Sequence, residues 1–150
     1  MEDIEAATGN EVQFPMFCDP TRQISTSFGL LDPENTNAQG LPSTVRNVYI
    51  LKPSKEIALI MSYPASCGRS FDEIFRVLES LQRTHGQGGV ATPVDWFPGQ
   101  DCIVDYSLTN AQADQKFGPD GYRVIDLPSE HGKDLEKNYL RKTKDPRFPE

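Results

Sequence analysis

The sequence predicts an α/β chain in which a β-hairpin precedes one amphipathic helix and a smaller strand-bearing region follows. Three observations carry that prediction. Two apolar runs, "VRNVYIL" and "EIALIMSY", are separated only by "KPSK"; runs rich in Val, Ile and Tyr on either side of a short polar turn form a hairpin. The stretch "YPASCGRSFDEIFRVLESLQ" then brings apolar residues back at helical spacing. After Val90 the composition shifts to the Pro- and aromatic-bearing "ATPVDWFPGQD" and further short strands. The expected division is residues 1–89 and 90–150.

In chain order, "EVQFPMFCDPTRQ" predicts a short strand from Val12 to Phe17, closed by the Asp19-Pro20 turn. "ISTSFGLL" predicts two helical turns ending near Gly29, and "ENTNAQGLPS" a polar loop. The hairpin strands run over Val45–Leu51 and Glu56–Tyr63. Alternation is weak in both, which predicts burial on both faces inside a larger sheet. Ser70, with Glu73 three residues on, is a capping-box pattern. Phe71, Ile74, Phe75, Leu78 and Leu81 follow as one apolar stripe, and the glycines of "HGQGG" end the helix in left-handed conformation. That loop lacks a preceding strand and a following G-K-S/T, so it is no phosphate loop. "CIVDYSL" predicts a strand, and Thr109 with Gln112 caps a brief helix that Gly118-Pro119 ends. "YRVIDLP" and "NYLRKTK" predict two more strands.

Bulk properties exclude several classes. A formal net charge of -7 offers no basic stripe for nucleic acid. Charged residues make up 25% and mean hydropathy is -0.53, as in soluble globular chains. The acidic "MEDIEAATGN" has no secretory apolar core, and "IALIM" is too short to span a bilayer. The expectation is a soluble cytoplasmic protein that engages neither membrane nor nucleic acid. Three cysteines, Cys18, Cys67 and Cys102, are widely spaced with no C-x-x-C, which favours free thiols over a disulfide framework. His85 and His131 share no ligand spacing with each other or with a cysteine, so no metal site is expected and both read as solvent-facing loop residues.

Six blocks in collinear order, "FPMFCDP", "LLDP", "GLPSTVRNVYI", "YPASCGRSFDEIFRVLESLQ", "VATPVDWFPGQDC" and "YLR", resemble the 1-Cys peroxiredoxins from about Phe14 to Arg141. The resemblance implies that residues 1–89 are the C-terminal part of a thioredoxin-like fold, hairpin plus helix. Residues 90–150 would be the small C-terminal domain of that subgroup. It further implies a thiol peroxidase that reduces hydrogen peroxide and organic hydroperoxides, draws on an external thiol reductant, needs no cofactor and forms a homodimer. In that family a peroxidatic cysteine becomes a sulfenic acid. A helix N-terminus and a nearby arginine depress its pKa, and arginine donors orient the peroxide.

The family places that cysteine in a P-x-x-x-T-x-x-C segment upstream of the "FP" strand, and no such segment occurs in these 150 residues. The chain therefore reads as a peroxiredoxin with its front removed, inactive alone and poorly stable alone, because a hairpin with one helix is marginal. By the resemblance, Arg46 in "STVRNV" matches the active-site arginine and Arg69 in "GRSFDE" a second arginine near the site. The plainer alternatives are that Arg46 snorkels at a strand end and that Arg69 pairs with Asp72 or Glu73. Cys67 falls where relatives carry a hydroxyl residue, so it is not the catalytic cysteine. It lies three residues before a helix N-cap and two before Arg69, a setting of the kind that depresses a thiol pKa; the inert reading is nevertheless favoured. Cys102 reads as strand packing and Cys18 has no motif. "SEHGKDLEKN" reads as a loop insertion. The alternative function is an interaction or regulatory subunit that binds full-length peroxiredoxins, or a redox sensor acting through Cys67.

Overall fold

The structure, a computed structural model, describes residues 2–128 and 139–147. The chain divides into two packed units, residues 1–48 with 60–68, and residues 49–59 with 69–150. His131 and the segment "SEHGKDLEKN" lie outside the described residues.

In the first unit an exposed acidic helix, α1 (Glu2–Thr8), is followed by residues 12–17, which form no strand. The expected strand fails for a physical reason. Pro15 brings no N–H to a ladder, and among the described residues no strand pairs with this segment, leaving Phe14 and Phe17 exposed. Helix α2 (Gln23–Ser27) is where the sequence puts it. The Asp19 carboxylate accepts hydrogen bonds from the Ile24 amide at 3.3 Å and the Ser25 amide at 2.8 Å. The "ENTNAQGLPS" stretch is not simply a loop: its ends belong to β1 (Leu31–Thr36) and β2 (Pro42–Thr44), an antiparallel pair bulged between Asp32 and Thr36. Asn37 makes the reversal, its Oδ1 accepting from the amides of Gln39 at 3.0 Å and Leu41 at 2.9 Å. Ladder bonds are backbone bonds, so these polar strands carried no apolar signal.

β3 (Arg46–Leu51) and β4 (Ile57–Tyr63) form the expected hairpin as a two-stranded sheet. Its turn is closed by the Lys52 amide donating to the Glu56 carbonyl at 2.9 Å. Burial on both faces is not observed. Leu51, Ile57 and Ile60 are each about half exposed, because among the described residues no further strand extends this sheet.

Beyond hairpin-tip residues 49–59, the second unit is built on α3 (Phe71–Thr84). Ser70 Oγ accepts from the Glu73 amide at 3.3 Å, which is one half of the capping box. The Glu73 carboxylate turns instead to Arg76, at 2.6 and 2.9 Å. The apolar stripe is only partly a core stripe: Phe71 and Phe75 are exposed, whereas Val77 and Arg83 are buried. The core sits on the other side of the helix, where Val90, Trp96 and Cys102 cluster with Phe117. Ser80 and Thr92 hydroxyls meet at 2.6 Å, and Arg76 donates to the Trp96 carbonyl at 3.2 Å, fixing α3 to that side. A 3-10 turn over Gly86–Gly88 ends the helix, and Gly89 takes φ +62°. A Cβ on Gly88 would stand 2.1 Å from the Arg83 carbonyl oxygen, so the close return of the chain admits only glycine there.

Four antiparallel strands follow: β5 (Val90–Ala91), β6 (Cys102–Val104), β7 (Tyr122–Val124) and β8 (Arg141–Thr143), in the order β5-β6-β8-β7. Helix α4 (Asn110–Phe117) carries the complete capping box of Thr109 and Gln112. Its Ala113 is buried.

Candidate functional site

Arg46 opens β3 in the first unit and is exposed. Cys67, in the same unit, closes a turn in which its amide donates to the Pro64 carbonyl at 2.9 Å. Cys67 is exposed, and among the described residues its thiol reaches only the neighbouring Gly68 carbonyl, at 3.7 Å. Arg69 belongs to the second unit and is exposed immediately before the Ser70 cap. Of the two carboxylates in the plainer alternative, Glu73 is paired with Arg76 at 2.6 Å. Among the described residues neither Arg46 nor Arg69 has a carboxylate or hydrogen-bond partner. His85 is exposed at the end of α3. Among the described residues, no group of three or more His, Cys, Asp or Glu could hold a metal ion.

Sequence reasoning missed the best-built polar constellation, which lies around Cys102. Arg83 on α3 and Asp145 are both buried and joined by Nε–Oδ contacts of 3.0 and 3.2 Å. Asp145 also accepts from the amides of Arg147 at 3.0 Å and Gly99 at 3.1 Å. Burial pushes its pKa up, but those two amides and the Arg83 charge outweigh burial and hold it below the usual carboxylate range. Arg83 also donates to Glu79 at 2.8 Å and lies 5.8 Å over the Trp96 ring. Trp96 Nε1 donates to the Gln100 carbonyl at 3.0 Å. Beside them the Cys102 thiol is driven up to about 11, first by burial and next by the Asp145 charge. A thiol so protonated is packing, as expected, and not a nucleophile. The Glu79-Arg83 spacing of one helical turn was the only advance signal of this network, and nothing pointed to Asp145.

Arg141, within the "YLR" block, is a second missed anchor. It is fully buried and donates to the Leu108 carbonyl at 2.6 Å, the Asp105 carbonyl at 3.3 Å and Asn110 Oδ1 at 3.1 Å. These bonds seat β8 against the loop that starts α4. The second unit also holds a cleft of about 600 Å³ between the hairpin tip and α3, with Ile50, Leu51, Ala58, Leu78 and Leu81 in its lining and Arg147 at the rim.

No family model matches the chain. Individual proteins do. A 1-Cys peroxiredoxin of Medicago truncatula is 41% identical over 145 residues, 95% of this chain and 62% of that protein. One from Dirofilaria immitis is 40% identical over 140 residues, 93% of this chain and 56% of its own length. Peroxiredoxin-6 of Gallus gallus is 40% identical over 149 residues, 97% and 63%. Among solved structures, a cysteine-to-serine mutant of peroxiredoxin 6 from Arenicola marina superposes with a TM-score of 0.84 at 38% identity, over 98% of this chain and 64% of that one. A yeast mitochondrial 1-Cys peroxiredoxin, whose thiol is resolved via glutathione/thioredoxin systems, gives 0.77 at 35%, over 95% and 62%. The chain thus spans about three fifths of the length of the curated relatives it matches. Likeness in sequence and likeness in fold agree: over nearly its whole length the chain is similar to 1-Cys peroxiredoxins and shares their thioredoxin-like α/β architecture.

Proposed function

We propose that these residues serve a thiol peroxidase that reduces hydrogen peroxide and organic hydroperoxides in antioxidant defence. The observation that carries this reading is the likeness at about 40% identity along nearly the whole chain, since a shared fold alone would not specify chemistry. In the reaction a cysteine thiolate attacks the O–O bond. The sulfur becomes a sulfenic acid, the peroxide leaves as an alcohol or water after taking one proton, and an external thiol reduces the sulfenic acid. That nucleophile belongs to a P-x-x-x-T-x-x-C segment, which the 150 residues do not contain. Their contribution is Arg46, whose guanidinium stabilises the thiolate and the departing oxygen, with Arg69 as a positioning residue.

Residues 1–89 supply the thioredoxin-like portion in this reading and 90–150 the C-terminal domain, in a cytoplasmic homodimer. A hydroperoxide-consumption assay tests the proposal in two arms. The 150-residue chain alone is expected to show no fast turnover. In a relative carrying the peroxidatic segment, replacing the arginine aligned with Arg46 by Gln is expected to cut the second-order rate by roughly 100-fold, by analogy with loss of an oxyanion donor. Fast turnover by the isolated chain, or an unchanged rate in the variant, would overturn it.

A second reading, an interaction or regulatory subunit for full-length peroxiredoxins, is favoured by the large apolar side chains left exposed, Phe71 and Phe75 among them. Its variant, a redox sensor, rests on the exposed Cys67 thiol.

A further inference from the structure

Arg141 does more than seat β8. By donating to the carbonyls of Asp105 and Leu108, at 3.3 and 2.6 Å, it grips both ends of the turn that carries Tyr106. The turn is also closed from within. The Leu108 amide donates to the Asp105 carbonyl at 3.1 Å, and the Ser107 amide to Asp105 Oδ1 at 2.8 Å. The Asp105 amide donates to the Gly89 carbonyl at 2.9 Å, which ties the turn to the start of β5. Tyr139 precedes Arg141 by two residues, and between them the Leu140 carbonyl accepts from the Ile125 amide at 2.9 Å. The grip that fixes the turn therefore also fixes the segment from which Tyr139 projects.

The result is a tyrosine pair held by backbone bonds rather than by a core. Tyr106 and Tyr139 meet edge to face, with ring centroids 6.0 Å apart and planes inclined at 66°, within the range of an attractive aromatic contact. Both nevertheless stand more than half exposed, at 59% and 58%. Phe71 and Phe75 make a comparable exposed pair, but phenylalanine has no phenol to oxidise. Tyr106 and Tyr139 combine contact, exposure to solvent and an oxidisable group on each ring.

We infer that Tyr106 and Tyr139 form an oxidative cross-linking site, at which a one-electron oxidant of the ferryl-haem class joins the rings as dityrosine and staples the segment entering β8 to the turn before α4. Each phenol gives up one electron and one proton. The two phenoxyl radicals couple at ring carbons ortho to oxygen, forming one C–C bond, and the rings regain aromaticity as each ortho C–H proton is exchanged for a phenol O–H. The protein loses two hydrogen atoms in all; their electrons and protons pass through the oxidant to hydrogen peroxide, which becomes two waters. Rings already in contact need no search, and this proximity favours coupling within one chain over coupling between chains. The new bond is a covalent counterpart of the Arg141 hydrogen bonds and, like any cross-link, constrains the unfolded chain. The inference uses the geometry of the second unit alone and does not rest on the peroxidase reading.

The test uses the 150-residue chain with its exposed Cys18 and Cys67 thiols first alkylated. It is oxidised by a haem peroxidase with limiting hydrogen peroxide and read by dityrosine fluorescence, intact mass and peptide mapping. A fluorescent monomer lighter by two hydrogen atoms is expected, its link mapped to Tyr106 and Tyr139, in a yield that dilution of the protein does not change. Tyr106→Phe and Tyr139→Phe are each expected to cut the yield of linked monomer by roughly tenfold or more, with far-UV dichroism unchanged. Tyr63→Phe, in the first unit, is expected to leave it intact. Unfolding in urea before oxidation should lower the yield severalfold, and the linked monomer should unfold at a higher urea concentration than the unlinked chain. Dityrosine found only in linked dimers, a link between other tyrosines, an equal yield in urea, or an undiminished yield after either substitution at the pair would each overturn the inference. So would a linked monomer whose urea midpoint is unmoved, since the bond would then staple nothing.

Discussion

Asp145→Asn is the substitution that most directly tests the packing of the second unit. Both carboxylate oxygens act only as acceptors. Oδ1 serves Arg83 at 3.0 Å and the Arg147 amide at 3.0 Å, and Oδ2 serves the Gly99 amide at 3.1 Å and Arg83 at 3.2 Å. An asparagine is isosteric, but whichever way its amide is turned, its NH2 meets an N–H donor. The substitution thus removes a charge-assisted bond worth about 1.5–3 kcal/mol and strands a buried donor at about 1–3 kcal/mol. The sum agrees with the ~3–5 kcal/mol typical of breaking a buried pair from one side. Trp96 is the only tryptophan, is buried, and carries the Arg83 guanidinium over its ring. Its fluorescence therefore reports unfolding in urea at the place perturbed. The midpoint should fall with unchanged slope, and a thermal scan should lose roughly 6–20 °C for a chain of this size. Adding Arg83→Met to Asp145→Asn should cost less than the two separate losses combined, since the pair is then removed from both sides. A stability within about 1 kcal/mol of the parent would refute the claim that this ion pair organises the unit.

Three further outcomes follow from the same geometry. Asp145 has its folded pKa depressed, so its contribution is present above the unfolded value of 3.8 and is lost as pH falls below it; acid titration of stability should show a limb there that Asp145→Asn flattens, and an unaltered limb would count against the assignment. Native mass spectrometry after iodoacetamide at pH 8 should find adducts on Cys18 and Cys67 only, with Cys102 labelled after urea, because its thiol is buried and raised to about 11; prompt native labelling of Cys102 would contradict that. Thr109→Ala removes an acceptor for the Gln112 amide at 3.2 Å and one half of a complete capping box; urea titration should show a loss of about 0.5–2 kcal/mol, and no loss would mean the cap is idle.

The sequence was most legible where one physical signal dominated. Helix α3 announced itself by spacing and by the Ser70 cap, α4 by its capping box, and the β3–β4 hairpin by two apolar runs around a polar turn. It was least legible where backbone bonds alone make the structure: β1 and β2 carry polar residues and a bulge, so no pattern marked them. The Val12–Phe17 strand failed the other way, since apolar content cannot supply a ladder partner. The core side of α3 was misjudged because its buried residues include Arg83, and a buried guanidinium is intelligible only once Asp145 is beside it. For the candidate site, residue types at motif positions pointed to Arg46 and Arg69, and the structure shows both residues exposed.

The Arg83–Asp145 bridge joins groups 62 positions apart, which has a kinetic consequence. Closing a loop of that length costs on the order of 3.7 kcal/mol in chain entropy beyond a constant. At about 5–20 residues per second, several seconds of synthesis separate the two residues on the ribosome. Helix α3 therefore has time to form while Arg83 is still hydrated, and the carboxylate arrives as a late latch. Interactions absent from the folding transition state act on the rate of opening rather than the rate of closing. Loss of the latch should show chiefly as faster unfolding, which makes the bridge a determinant of how long the folded unit persists.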